Sequence, residues 1–166
     1  MTARNRIVGI IILVVIGAIV NECSSADRNS EGTITTQGEL DAFETRIGDC
    51  FASLPSDAGN EETVEFKTLN AIPCNEPHRW QVVHKGYITN IEEYSESEID
   101  NQASTICENA YKELFVSMSD ARYAEYKEAQ STNFVPTQKS WENGDRTVDC
   151  LVGSDTTEFY TSILDS

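Results

Sequence analysis

The stretch CNEPHRW places a thiol and an imidazole four residues apart, at Cys74 and His78. Such a pair could supply a nucleophile and its general base, provided that the thiol is free and within hydrogen-bond reach of the imidazole. It could also supply two of the four ligands that a zinc site needs. A third interpretation is a structural corner, because Pro77 fixes its own φ and biases the residue before it to an extended conformation.

The cysteine count bears on all three interpretations. Besides Cys23 the chain has four cysteines, an even number: Cys50, Cys74, Cys107 and Cys150. In an exported protein an even set predicts disulfides, and a bridged cysteine has no nucleophilic thiol. A zinc cluster would need a second cysteine close to Cys74, and the chain has none there. We therefore predict two disulfides.

The corner then becomes the favoured interpretation of the opening stretch. We predict that Pro77, His78 and Trp80 form a rigid corner that leads into a strand, with His78 hydrogen-bonded inside it. No catalytic residue, cofactor site or metal site is predicted, since the chain has no nucleophile elbow, phosphate-binding loop or dinucleotide fingerprint.

The N-terminus predicts export. Arg4 and Arg6 precede fourteen uncharged and almost wholly apolar residues at positions 7–20. A basic flank followed by an apolar run is typical of an export signal whose arginines stay on the cytoplasmic side. The rest of the chain is therefore expected in an oxidising compartment outside the membrane, where disulfides persist.

Two modes of membrane attachment fit this N-terminus. Cys23 is followed by two serines, as in a bacterial lipoprotein signal, so Cys23 is a candidate for lipid attachment. Glu22 argues against that mode, because signal cleavage favours small residues. The apolar run is shorter than the roughly 20 residues of a spanning helix, yet flanking arginines can snorkel. An uncleaved anchor through residues 7–20 is favoured, and the lipoprotein mode stays open.

Charge and composition divide the remaining chain. The net charge of −16, from 12 basic and 28 acidic residues, repels phosphate backbones and excludes nucleic acid as an expected partner. We predict an anchor or lipoprotein-like signal at 1–23 and a flexible acidic and polar tether at 24–44. A folded domain at 45–153 and a polar tail at 154–166 follow.

Hydrophobic periodicity places the elements of the folded domain. Strands are predicted at 63–69, 79–88, 133–138 and 146–152, and helices at 95–118 and 120–129. The long helix has an apolar stripe that begins at Ile99, and Ser95 with Glu98 forms a capping-box pattern at its start. A single long helix among strands predicts an α+β fold, an antiparallel sheet with the helix packed on one face.

The same periodicity favours one disulfide pairing. Cys107 borders the apolar stripe of the long helix, and Cys150 shares the inward parity of its strand, so the two can meet in a helix-on-sheet core. That would pair Cys50 with Cys74. Four cysteines permit three pairings, and sequence alone does not select one.

Several pieces of the domain occur in a familiar order: GDCF at 48–51, PCNEPH at 73–78, the helical Cys107 followed by Tyr111, Trp141, and GDRTVDCL at 144–151. Together they resemble the septum formation domain of actinobacterial cell-envelope proteins, over residues 47–152. The family usually has Glu where this chain has Gln81. The resemblance implies an exported, membrane-tethered domain linked to cell division, and it supplies no catalytic residues.

Two functions of different classes follow. The favoured one is a non-enzymatic binding domain, tethered to the cell membrane on its extracytoplasmic side, whose partner is an envelope or division protein. The alternative is an envelope hydrolase or thiol enzyme that uses Cys74 and His78. Trp80, Tyr111 and Trp141 belong to a set of aromatic residues that fits a ligand groove or core packing equally well.

Overall fold

The computed structural model describes residues 25–55 and 66–165. The predicted anchor at 1–23, Cys23 and part of the predicted strand 63–69 lie outside these ranges. The strands are β1 (Asp27–Arg28), β2 (Ile34–Thr36), β3 (Gly38–Asp41), β4 (Cys50–Phe51), β5 (Thr68–Ile72), β6 (Trp80–Tyr87), β7 (Gln130–Phe134) and β8 (Thr147–Gly153). The helices are α1 (Glu96–Ser117), α2 (Asp120–Tyr126), α3 (Gln138–Glu142) and a single 3-10 turn (Ala42–Glu44).

Six of these strands form one antiparallel sheet in the order β3-β5-β4-β6-β8-β7, while β1 pairs only with β2. The longest pairing joins β6 to β8, from Trp80 opposite Gly153 to Tyr87 opposite Thr147. A side chain at Gly153 would lie 2.1 Å from the carbonyl oxygen of Arg79. Only glycine therefore lets the end of β8 approach the start of β6 this closely.

A bulge in β6 changes which side chains face the core. The register with β8 shifts between Val82 and His84, so Val83 is the extra residue. Because strand side chains alternate, the inserted residue reverses the alternation of β6 beyond Val82. Val83 is buried and His84 is half-buried.

One face of the sheet is covered by α1, which confirms the predicted helix-on-sheet fold. Ile99, Ala103 and Cys107 of α1 are buried against this face. Tyr111 further along α1 donates its hydroxyl to the carbonyl oxygens of Thr132, at 2.7 Å, and Leu151, at 3.1 Å. Ser95 is the N-cap residue but makes no side-chain capping hydrogen bond, so the predicted capping box is not formed.

The N-terminal segment covers part of the opposite face. The sequence predicts a flexible tether over 24–44, whereas the structure has three strands there, and β3 pairs with β5. Ile34 and Leu40 from this segment are buried beside Phe51 and Leu151. These strands have two to four residues, which is too short for a period-2 pattern to stand out in a polar sequence.

Both predicted disulfides are present with the favoured pairing. Cys50 is bonded to Cys74 and Cys107 to Cys150, each with 5.3 Å between the Cα atoms. The second bond joins α1 to β8 inside the helix-side core. By the chain-entropy model, closing these loops stabilises the fold by about 3.5 and about 4 kcal/mol. The two bonds are therefore comparable to the whole stability of a small domain.

A short helix separates β7 and β8. Residues 133–138 are predicted as a strand, but β7 ends at Phe134, and α3 begins at Gln138 with Thr137 as its N-cap. Thr137 accepts a hydrogen bond from the backbone N–H of Ser140. The last residue of α3 is Glu142, and Gly144 follows its C-cap with a φ of +92°, a conformation that favours glycine. Five residues are too few to show helical periodicity in the sequence.

The C-terminal segment belongs to the core, although the sequence predicts a polar tail at 154–166. Phe159 and Ile163 are buried in the helix-side cluster. The backbone of Phe159 exchanges two hydrogen bonds with that of His78, at 3.0 and 2.7 Å. Its ring stacks on Tyr126 with 4.5 Å between the centroids. Two apolar residues in a polar segment are too few to form a hydrophobic period, so the sequence did not indicate that this segment is buried.

Replacing Phe159 by alanine tests this role of the C-terminal segment. We expect Phe159→Ala to lower the free energy of unfolding by about 3–5 kcal/mol, because it removes a buried ring. The neighbouring Tyr160 is 59% exposed, so Tyr160→Ala should change stability by no more than about 0.5 kcal/mol. Urea unfolding of both variants measures the difference, and equal losses would contradict the assignment.

Candidate functional site

The Cys74–His78 pair cannot act as a nucleophile and base. Cys74 is held in the disulfide with Cys50. His78 is 1% exposed, and its Nδ1 lies 3.0 Å from the carbonyl oxygen of Glu76. Because a carbonyl oxygen only accepts, Nδ1 carries the proton in this contact. Burial lowers the pKa of His78, which favours the neutral ring.

The other members of the predicted corner have separate environments. Pro77 is exposed, and the turn before it is closed by a hydrogen bond from Glu76 N–H to the carbonyl oxygen of Pro73 at 2.9 Å. Trp80 is buried on the face of the sheet opposite α1, and its indole N–H donates to Asp155 at 3.2 Å. The side chains of Pro77, His78 and Trp80 therefore lie in different parts of the fold.

Gln81 is a buried polar residue whose role sequence reasoning missed. Its Oε1 accepts from the N–H of Ile163 at 2.7 Å, and its Nε2 donates to Ser162 Oγ at 2.8 Å and to the carbonyl oxygen of Gly48 at 3.3 Å. An amide can accept and donate at once, whereas an ionised carboxylate only accepts. Gln81 therefore suits a position that joins the C-terminal segment to the loop before β4. The sequence signal was its departure from the family pattern.

A groove of about 750 Å³ lies on the sheet face opposite α1, where Ala42, Phe66 and Phe134 border the second apolar cluster. Its apolar lining includes Phe43, Phe66, Phe134 and Val135. Its charged lining consists of Lys67, Lys85, Lys139, Asp41, Asp145 and Asp149. This combination of aromatic surface and a few charged groups is typical of ligand sites. The groove is the candidate functional site, and the sequence did not indicate it.

A buried ion pair forms the base of the groove. The Lys85 Nζ lies 2.7 Å from Asp149 Oδ1 and also donates to the carbonyl oxygen and Oγ1 of Thr45, at 2.8 and 2.9 Å. Thr45 donates its hydroxyl to the other oxygen of Asp149. Burial raises the pKa of Asp149, although the hydrogen bonds from Lys85 and Thr45 act to lower it. Lys85 and Thr45 therefore both stabilise the ionised form of the buried Asp149 carboxylate.

This cluster serves structure rather than nucleophilic chemistry. Thr45 is 4% exposed and does not line the groove, so a substrate could not reach its hydroxyl. The Lys85 ammonium donates two hydrogen bonds to Thr45, and its charge is paired with the Asp149 carboxylate. It is therefore held within the cluster and is not directed at a ligand.

The rim of the groove differs from its base. Lys67 and Lys139 are exposed and have no ion-pair partner among the residues that the structure describes. Phe43 is 66% exposed at the rim. Phe66 and Phe134 meet edge to face, with 4.7 Å between their centroids. The free cations and the accessible aromatic surface lie together, as a binding surface requires.

In the described ranges 25–55 and 66–165, no cluster of three or more His, Cys, Asp or Glu side chains is placed to hold a metal ion. None of the helices in those ranges is both long enough and apolar enough to cross a membrane.

The chain belongs to the septum formation family. The sequence model of that family, described as septum formation, matches residues 20–157. The match takes in the N-terminal strands, the sheet, all three helices and both disulfides. It supports a role in cell division or the envelope. No curated protein and no solved structure matches the chain significantly.

The buried His78 predicts a dependence of stability on pH. Its pKa is lower in the folded state than the ordinary value of 6.5, so below that pH the unfolded chain binds more protons. Its contribution to stability is therefore complete above pH 6.5 and is lost as the pH falls toward the folded pKa. We expect His78→Gln to be less stable at about pH 7.5 but to lose less stability than the parent by about pH 5.5. Parallel losses in thermal unfolding would contradict this account.

The ion pair under the groove predicts a large effect of removing one partner. Lys85→Met leaves the Asp149 carboxylate buried without its cation and should lower the free energy of unfolding by about 3 kcal/mol. Lys67→Met is the matched control, because this exposed lysine has no ion-pair partner in the part of the chain that the structure describes, and it should cost no more than about 0.5 kcal/mol. Adding Asp149→Asn to Lys85→Met should restore part of the loss. No recovery would attribute the effect to packing instead of charge.

Proposed function

We propose that this protein is a non-enzymatic binding domain, held at the cell membrane on its extracytoplasmic side, that contacts an envelope or division protein. Family membership is the observation that carries the link to division. The proposal adds three things to it: the compartment, the mode of attachment and the absence of catalysis.

The compartment is supported by the disulfides. Both bonds join cysteines of the folded domain, and cytosolic thiols would be kept reduced. The basic flank and apolar run at residues 4–20 are the pattern of an export signal. These two features are independent, because one lies in the leader and the other in the domain.

A binding role is supported by the use of the polar groups. The groups that chemistry would need are engaged elsewhere: Cys74 in a bond to sulfur, His78 in the corner, and Lys85 in the ion pair. The groove instead offers exposed cations and aromatic rings, which hold a ligand without transforming it. The thiol enzyme that uses Cys74 and His78 is therefore the weaker hypothesis.

Intact-mass analysis of the full-length protein extracted from membranes tests the attachment and the thiol chemistry together. We expect a species that retains residues 1–22, carries no acyl group on Cys23 and takes up one maleimide without reductant, on Cys23. A mature species that begins at a lipidated Cys23 would replace the anchor by a lipoprotein tether. Maleimide on Cys74 would revive the thiol enzyme, and recovery only from the cytosol would overturn the proposal.

A further inference from the structure

The groups that the groove can offer to a ligand follow from what each polar group already contacts. Lys85 donates two hydrogen bonds to Thr45, and its charge is paired with Asp149, so this ammonium supports the floor of the groove. Lys67 and Lys139 form no ion pair within the described part of the chain. Two ammonium groups are therefore available, one at the start of β5 and one on α3.

Asp41 and Asp145, the carboxylates of the rim, each accept a hydrogen bond through only one of their two oxygens in the described part of the chain. Asp41 accepts from the N–H of Phe43 through Oδ1, and Asp145 accepts from the N–H of Thr147 through Oδ1, both at 2.9 Å. Across the residues that the structure describes, no donor contacts the Oδ2 of either side chain. Each can accept one more hydrogen bond, and backbone N–H groups of a ligand are suitable donors.

The charge of the groove differs from that of the rest of the protein. Three lysines and three aspartates line it, so its formal charge is zero. The chain as a whole carries −16, and this excess therefore lies outside the groove. An anionic group that approaches the groove meets free ammonium groups there, whereas it is repelled elsewhere.

The apolar part of the site lines the same groove as these polar groups. Phe66 and Phe134 form the edge-to-face pair, and Phe43 extends from the rim with 66% of its surface exposed. Aromatic surfaces of this kind bury an apolar side chain with little loss of conformational entropy. The volume of about 750 Å³ falls in the range that ligand pockets occupy.

We propose that the groove binds a peptide segment of the partner protein in which an aromatic or large aliphatic side chain lies next to a carboxylate. The apolar side chain packs on Phe43, Phe66 and Phe134, the carboxylate pairs with Lys67 and Lys139, and backbone N–H groups donate to Asp41 and Asp145. An anionic lipid surface fits less well, because the acidic excess around the groove is repelled by it. This assignment rests on the proposed binding function and adds the chemistry of its ligand.

Titration of the full-length protein in non-ionic detergent with the dipeptide acetyl-Phe-Glu tests the proposal. This probe combines one ring with two carboxylates, and amide chemical shifts report where it binds. We expect shifts at groove residues and an affinity that falls about two- to fivefold in Lys67→Gln and in Lys139→Gln, the range for exposed ion pairs. The two effects should multiply in the double variant, and added salt should weaken binding.

Matched controls separate this site from general charge effects. Lys127→Gln removes an exposed lysine at the C-cap of α2, outside the groove, and should leave the affinity unchanged. The uncharged acetyl-Phe-Gln-amide and the ring-free acetyl-Gly-Glu should both bind more weakly than the probe. Phe43→Ser, at an exposed ring, should weaken acetyl-Phe-Glu without altering thermal stability.

Three results would overturn the assignment: no shifts at the groove, equal binding of the charged and uncharged dipeptides, or equal losses in Lys127→Gln and the groove variants. Tighter binding to phosphatidylglycerol vesicles through Lys67 and Lys139 would assign the groove to lipid instead of peptide. None of these results would change the mass or thiol state of the membrane-extracted protein. Failure of this inference is therefore distinguishable from failure of the proposed function.

Discussion

The antiparallel pairing of β6 with β8 is the constraint on which the rest of the structure depends. On one face it places Val83 and Cys150 in the helix-side core, where Cys150 reaches Cys107. On the other face it sets Lys85 opposite Asp149, and the resulting ion pair supports the groove. Glycine at 153 allows the two strands to approach where the pairing ends. One register therefore positions a disulfide, a buried charge pair and the floor of the candidate site.

The sequence predicted those parts of the fold that repeat a pattern over many residues. The stripe on α1 runs for several turns, and β6 and β8 have eight and seven residues, so helix, sheet and the pairing of Cys107 with Cys150 could be inferred. The β-bulge at Val83, the five-residue α3 and the N-terminal strands could not. Helix α3 and the N-terminal strands are too short to show a hydrophobic period in the sequence. The bulge interrupts the period-2 pattern of β6.

The candidate site was beyond prediction for a different reason. Its members come from the segment before β4, the residues just before β5, β6, the β7–α3 connection, α3 and β8, and no motif joins them in sequence. Only the tertiary arrangement shows that Lys85 is held in an ion pair, whereas Lys67 has no ion-pair partner within residues 25–55 and 66–165. Cys74 and His78 are close in sequence but have separate structural roles. Cys74 closes a loop through its disulfide, and His78 holds the C-terminal segment through backbone hydrogen bonds to Phe159.

The first described residues already belong to the folded domain. Ser25 forms a β-bridge with Glu39, and the N–H of Ala26 donates to the carbonyl oxygen of Glu39. If the apolar run at 7–20 is the anchor, residues 21–24 alone connect it to the domain, and four residues span at most about 14 Å even when fully extended. With that anchor, so short a connection would keep the domain from sampling the depth of the envelope. The domain would be confined to a thin layer beside the bilayer, and a partner would have to come within that layer.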